Sequence, residues 1–267
     1  MRYKYKIFSA LVVFSLFMAG IISSISYSGN KVDELQNPFY FIPENSTFLF
    51  YSEAGNLKVY TFVTGNTGGA VINLPVNQFG GISAVFPKDI RDNISLNYID
   101  SILGYPIYKI TISAKNLNQS NSSIGLYQKL FPSNTFYFSN PLPSIDILGS
   151  LTAIEDALIA YSKNQAGNTS IENFIDTDSQ FSFLYMSHHG NPVRFISANI
   201  TPNAIFASIM FNNSVNVNKI YILLLGILPP YIMVYPPTGE KIELRISMGN
   251  NNAIEFITKI ILSAVIG

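Results

Sequence analysis

The chain has 267 residues, of which 48% are hydrophobic and only 12% charged, with 16 basic side chains balancing 16 acidic ones and no cysteine. That length supports one large domain or two small ones, either with an adequate core. Neutrality without a Lys/Arg cluster argues against a nucleic-acid partner, and the absence of Cys excludes disulfides and thiolate metal sites. With so few charges, Asn, Ser, Thr and Tyr have to supply the surface polarity.

At the N-terminus, Arg2, Lys4 and Lys6 precede an apolar run from Ile7 to Ile22. This reads as a signal anchor or signal peptide over residues 1–28. The run falls somewhat short of the roughly 20 apolar residues of a spanning helix, but extension through Ser23 to Tyr27 supplies the length, and no Ala-x-Ala cleavage site stands out. Basic residues before the run place the N-terminus inside and the rest of the chain outside. The expected location is therefore the cell membrane, single-pass, with the C-terminal domain outside, or secretion if the leader is cleaved. Export would open seven Asn-x-Ser/Thr tripeptides to glycosylation, at Asn45, Asn93, Asn118, Asn121, Asn168, Asn199 and Asn212. A nearly uncharged, Tyr- and Asn-rich exterior resembles that of surface proteins of thermoacidophilic archaea, where few ionisable groups mean little charge change in acid.

After a polar linker over residues 29–40, two β-rich runs, Phe41 to Tyr51 and Leu57 to Val63, flank Gly55-Asn56 and predict a hairpin. Gly65-Asn66-Thr67-Gly68-Gly69 reads as a loop, without the helix and Lys of a phosphate cradle. A short strand is expected at Ala70 to Leu74, a helix from Pro87 to Leu103, and an alternating strand from Tyr105 to Ser113. A short helix, Ile124 to Phe131, stops at Pro132. Phe136-Tyr137-Phe138 and Ser144 to Leu148 then form a second hairpin, followed by an amphipathic helix, Thr152 to Ser162, and a polar boundary at Lys163 to Ser170.

The second half echoes the first. Gly149-Ser150-Leu151-Thr152-Ala153-Ile154-Glu155 reads almost like Gly249-Asn250-Asn251-Asn252-Ala253-Ile254-Glu255. Phe174-Ile175, Ser179, Phe181 and Phe183 match Phe41-Ile42, Ser46, Phe48 and Phe50 at one constant offset. Strands at Val193 to Ala198 and Ala204 to Met210, a helix at Asn218 to Leu228 and a turn at Pro236-Pro237-Thr238-Gly239 complete the echo, while residues 85 to 120 have no counterpart. The expected fold is α+β: an N-terminal transmembrane or signal helix, then two tandem related repeats over 29–165 and 166–267, each an antiparallel β-sheet with helices packed on one face.

Little in the chain points to chemistry. His188-His189 is the only histidine pair and sits at a predicted hairpin tip, where adjacent side chains diverge; copper, haem and zinc lack their usual ligands. No Gly-x-Ser-x-Gly elbow accompanies a triad. Carboxylates pair at Glu155-Asp156, Asp176 and Asp178, and Asp89 and Asp92; Glu155 and Glu255 are expected in first helical turns, offsetting the macrodipole, and Asp176 with Asp178 lacks the rest of a calcium loop. Phe48, Phe50, Tyr60, Phe62, Phe136, Tyr137 and Phe138 fall mostly at strand spacing and read as sheet core, with a sugar-binding platform as the alternative. Ile220 to Leu228 is apolar all round and too short to span, so it is either core or a face for lipid or a partner. No catalytic residue, cofactor or metal is expected. The function expected is that of a non-catalytic, membrane-anchored extracytoplasmic glycoprotein of binding or assembly type, its partners the membrane and other surface or membrane proteins. An accessory subunit of a membrane complex and a secreted carboxylate-dependent hydrolase are the alternatives.

Overall fold

A computed structural model describes residues 37–54, 57–65, 67–73, 94–112, 135–163, 169–172, 174–179, 181–187, 191–201 and 203–247. Strands dominate them, some alternating and others, such as β3 and β7, buried on both faces: β1 (Phe48–Ala54), β2 (Leu57–Thr64), β3 (Thr67–Asn73), β4 (Ile94–Ile102), β5 (Tyr105–Ile112), β6 (Thr135–Leu142), β7 (Ile145–Gly149), β8 (Phe181–Met186), β9 (Val193–Ile200), β10 (Ala204–Phe211), β11 (Ile232–Val234) and β12 (Lys241–Ser247). A 3-10 turn (Pro38–Phe41) precedes β1. The helices are α1 (Leu151–Lys163), the single turn α2 (Thr169–Glu172) and α3 (Val217–Ile227).

The strands do not divide into two sheets. They form one 12-stranded sheet in the order β11-β12-β10-β9-β8-β1-β2-β3-β7-β6-β5-β4, with every pairing antiparallel. This overturns the expectation of two separate helix-packed repeats. The two Phe-rich segments whose similarity suggested repetition are β1 and β8, which are neighbours. Phe50 lies directly opposite Phe183, while Phe48 stacks on Phe183 (ring centroids 6.3 Å apart, planes 20° apart) and Phe50 on Phe181 (6.1 Å, 23°). Apolar β-branched and aromatic cross-strand pairs are what sheets are stabilised by, so the like segments complete one core between them.

Helices also fail to share one face. On one side, α1 packs over β3, β6 and β7, with Ala153, Ile154, Ala157 and Leu158 as its buried stripe in a core that extends through Val71 and Ile147 to Phe62, Leu49 and Tyr51. On the other, α3 covers Phe211, Val234 and Ile242. Met210 belongs to the first face and Phe211 to the second, as alternation along β10 requires. The predicted N-terminal helix lies outside the described residues, and among the described residues no helix is long and apolar enough to cross a membrane.

Two local expectations change as well. The predicted helix from Pro87 to Leu103 is, over its described part, strand β4, joined to β5 by Leu103-Gly104 with φ of 55° and 84°. Positive φ at both central positions is the two-residue hairpin turn whose twist suits antiparallel strands; Leu103 takes that conformation although it is large and exposed. Glu155 is the fifth residue of α1, beyond its first turn. Ser150 begins the helix instead, its Oγ accepting the Ala153 N–H at 3.2 Å, the usual way of satisfying an orphan amide. The predicted helix Ile124 to Phe131, Glu255 and the Gly249 segment lie outside the described residues.

Gly149, where β7 hands over to α1, pairs with Gly69. A Cβ at Gly149 would sit 2.7 Å from both Gly68 O and Gly69 Cα, so the two backbones approach as closely as they do because neither strand carries a side chain there. We expect Gly149→Ala to lower the unfolding free energy by about 1–3 kcal/mol, read as a lower denaturant midpoint with an unchanged slope.

Candidate functional site

Asn216 opens α3, its side chain accepting the Lys219 N–H at 3.2 Å. Leu228 closes it, its N–H reaching Leu224 O at 2.9 Å, and Pro229-Pro230 prevent continuation. Val217, Ile220, Tyr221, Leu224 and Leu228 point to the sheet, which at 3.6 residues per turn accounts for one stripe. The outward face carries Ile222, Leu223, Leu225 and Ile227, between 54% and 72% exposed. Gly226 shares that face, with no atom within 4 Å of where its Cβ would be. Exposed polar residues, Asn218 and Lys219, are confined to the first turn. A soluble helix ordinarily turns charges outward; this one is greasy on both sides, with its polarity gathered at one end.

Among the described residues, ten polar or charged side chains are buried, and one of them is a carboxyl. Asp146 on β7 is 1% exposed. Asn140, at the irregularity in β6, donates from Nδ2 to Asp146 Oδ1 at 2.7 Å and lies within 3.1 Å of the Leu142 and Ile145 carbonyls, while Asp146 Oδ2 has no hydrogen-bond partner. Burial pushes this carboxyl up to about 6, the Asn140 hydrogen bond pulling it the other way. Across the sheet, the Tyr51 hydroxyl lies 2.9 Å from Glu53 Oε2 and 3.1 Å from Thr177 O. Burial first, then Glu53, holds the phenols of Tyr51 and its neighbour Tyr60 well above the ordinary tyrosine value. Both stay protonated, and the Tyr51 hydroxyl ties β1 to the 174–179 loop. The Tyr51-x-Glu53 spacing puts both on one strand face, a signal the sequence reading passed over.

Sequence-predicted residues are scattered. Asn45 is exposed in a turn. Asn199 is half-buried, its Oδ1 accepting from Ser182 Oγ at 2.5 Å, and the Asn212 amide donates to the Asn191 carbonyl. Asn93, Asn118, Asn121, Asn168, His188, His189, Asp89 and Asp92 lie outside the described residues. Asp176 closes its own turn, accepting from Asp178 N at 3.0 Å and Ser179 Oγ at 2.5 Å, and burial raises Asp156 on α1. Among the described residues, no group of three His, Cys, Asp or Glu side chains could hold a metal ion. Phe48, Phe50, Tyr60, Phe62, Phe136 and Phe138 are buried in the sheet. Gly68 and Gly69, expected in a loop, lie within β3.

No family model and no curated protein matches the chain. Among solved structures, crystal form III of TP0453 is similar over 80% of this chain and 94% of that one, at 10% identity and a TM-score of 0.47. Crystal form I is similar over 79% and 93%, at 12% identity and 0.44. These likenesses are too distant to transfer a function.

Because the folded value of Asp146 lies above its ordinary 3.8, the fold holds a proton that the unfolded chain has already released. The stability this supplies is complete below the unfolded value and is lost as pH rises through about 6. Denaturant titrations of the parent chain from about pH 4 to pH 7 should show that fall. Asp146→Asn should flatten it and raise stability at neutral pH by about 2–3 kcal/mol; an unchanged slope against pH would locate the effect elsewhere.

Proposed function

We propose that this protein is a non-catalytic binding or assembly protein held at the outer side of a membrane, where the outward face of α3 seats in the lipid. The single observation behind the reading is the aliphatic, uninterrupted and largely exposed surface of Ile222, Leu223, Leu225 and Ile227. Fully burying such a side chain contributes roughly 1.5–3 kcal/mol, too little in sum for a firm anchor but sufficient as a second contact beside a leader helix. Residues 29–36, between that leader and the first described residue, span at most roughly 30 Å, so the tether keeps the sheet near the bilayer and makes the second contact effectively intramolecular. Polarity at one end of α3 suits an oblique seat, with Lys219 at the headgroups and Ile227 deeper. The face also lacks the aromatic and Arg anchors by which protein interfaces are recognised.

A second reading, in which the protein is an accessory subunit of a membrane complex, draws on Gly226: a bare glycine on an exposed helix face admits close approach of another helix. The hydrolase alternative requires two carboxylates at a defined separation; Asp146, the acid most raised by burial, hydrogen-bonds only to an amide among the described side chains.

Since the chain has no cysteine, Leu223→Cys gives a unique labelling position. An environment-sensitive dye there, on the full chain in phosphatidylcholine liposomes, should shift to the blue and be quenched by lipid-borne quenchers, whereas a dye at Asn45→Cys should do neither. Equal quenching at both positions, or at neither, would defeat the lipid reading; burial of the 223 dye only in native membranes would support the accessory subunit instead. For the sugars, glycopeptide mapping of native protein should find Asn45 modified and Asn212 bare, because the Asn212 amide nitrogen that would carry a glycan donates to the Asn191 carbonyl, and Asn199 bare, because its side chain is half-buried on the sheet.

A further inference from the structure

The side of β8, β9, β10 and β12 turned away from α3 is laid out in three transverse rows: Met186, Phe195, Met210 and Lys241; Leu184, Ser197, Ser208 and Glu243; Ser182, Asn199, Phe206 and Arg245. Where α1 covers the equivalent side of β3, β6 and β7, here a groove of about 670 Å3 lies open, within the roughly 300–1,000 Å3 of small-molecule sites. Its floor is the facing pair Ser197 and Ser208 with Asn199 beside them. One wall is Phe174, whose ring packs on Phe195 at 4.3 Å, and the other is the Thr238–Lys241 turn, which Gly239 with φ of 64° allows to fold over the floor.

Hydrogen-bonding capacity in this groove is unspent. Neither Ser197 nor Ser208 makes a side-chain hydrogen bond with any described residue, although Ser197 is only 8% exposed. Asn199 has its Oδ1 engaged by Ser182, which leaves its N–H as the donor. Glu240 adds an acceptor at the rim and Asp176, the other carboxyl of the lining, has both oxygens engaged by Asp178 N and Ser179 Oγ, while the one cation of the lining, Lys241, is neutralised by Glu243 at 2.6 Å. Next to Asn199, Phe206 is 44% exposed, with Arg245 at 5.6 Å from its ring centre. An apolar occupant would strand the two hydroxyls and the amide without partners, and an anion finds no unpaired cation in the lining itself. Donors and acceptors that are mostly neutral, closely spaced and bordered by aromatic rings suit a ligand with hydroxyls on its edges and C–H groups on its faces.

We propose that this groove binds a neutral oligosaccharide, with Ser197, Ser208, Asn199 and Glu240 meeting its hydroxyls and the Phe174 ring its flat face. The site lies on the side of the sheet opposite α3, so its occupancy is independent of membrane seating.

The test uses the full chain in a detergent without a sugar headgroup, with maltotriose, cellotriose and chitotriose as probes and trialanine as a peptide control. Saturation-transfer NMR should show transfer to at least one trisaccharide with millimolar affinity, none to trialanine, a loss of at least about tenfold in affinity in Ser208→Tyr, and a loss of several-fold in Glu240→Gln. Glu240 lies in an exposed turn, so the second variant reports even where the first misfolds, which thermal melting decides. Absence of transfer to every trisaccharide, transfer undiminished in Glu240→Gln, transfer to trialanine alone, or a native Asn199 already carrying a covalent glycan would each overturn the proposal.

Discussion

Everything in this sheet depends on the seam between β1 and β8. Seven strands lie on one side of it and five on the other, and the two groups meet through five backbone pairings centred on Phe50 and Phe183. Its side chains work on both faces. Leu49, Tyr51 and Leu184 join the core beneath α1, while Phe48, Phe50, Phe181 and Phe183 form their own cluster opposite. Removing either face would leave a seam with two solvent-facing edges, which sheets avoid because unpaired N–H and C=O groups recruit other strands. The seam is why the chain is one body where a reader of the sequence expects two.

A scarcity of charge shapes what the surface can do. With 12% of residues charged, exposed faces are differentiated by apolar against hydroxyl and amide groups. The α3 face is aliphatic, the β9–β10 groove is hydroxylated, and the two occupy opposite sides of the same strands. Alternation makes that possible: Ile209 and Phe211 serve α3 while Ser208 and Met210 floor the groove. Buried Asp146 is the exception, a carboxyl kept among apolar neighbours with only Asn140 for company. Its raised titration makes the fold lose stability as pH rises through about 6.

Much of the local structure was legible in the residues. Strand-like runs located the β1–β2 hairpin, β5 and β7, the 3.6-residue stripe located α1, and the echo between the halves located β10 and α3, each to within a few residues at its ends. Failures came where period and register conflict. Ile94, Leu96, Tyr98, Ile99, Ile102 and Leu103 satisfy a helical and an alternating pattern about equally, because the irregularity between Tyr98 and Asp100 breaks the alternation of β4 halfway. Pairing between β1 and β8 left no local trace beyond the likeness of their residues, and likeness suggested repetition rather than contact. For the same reason the groove was invisible: Ser197 and Ser208 face each other only once the β9–β10 register is known. The apolar character of α3 was plain in the sequence; that its outer half stays uncovered was not.

The seam also carries a cost during synthesis. β1 leaves the ribosome early and finds β2 at once, but its other edge, with Phe48, Leu49, Phe50 and Tyr51, waits until β8 has been made. In that interval a half-finished sheet displays a greasy, unpaired strand, the state from which nascent chains most readily misassemble. Completing the fold is therefore a race between translation and encounter with another copy, and slow elongation between β3 and β8 would weigh against the monomer.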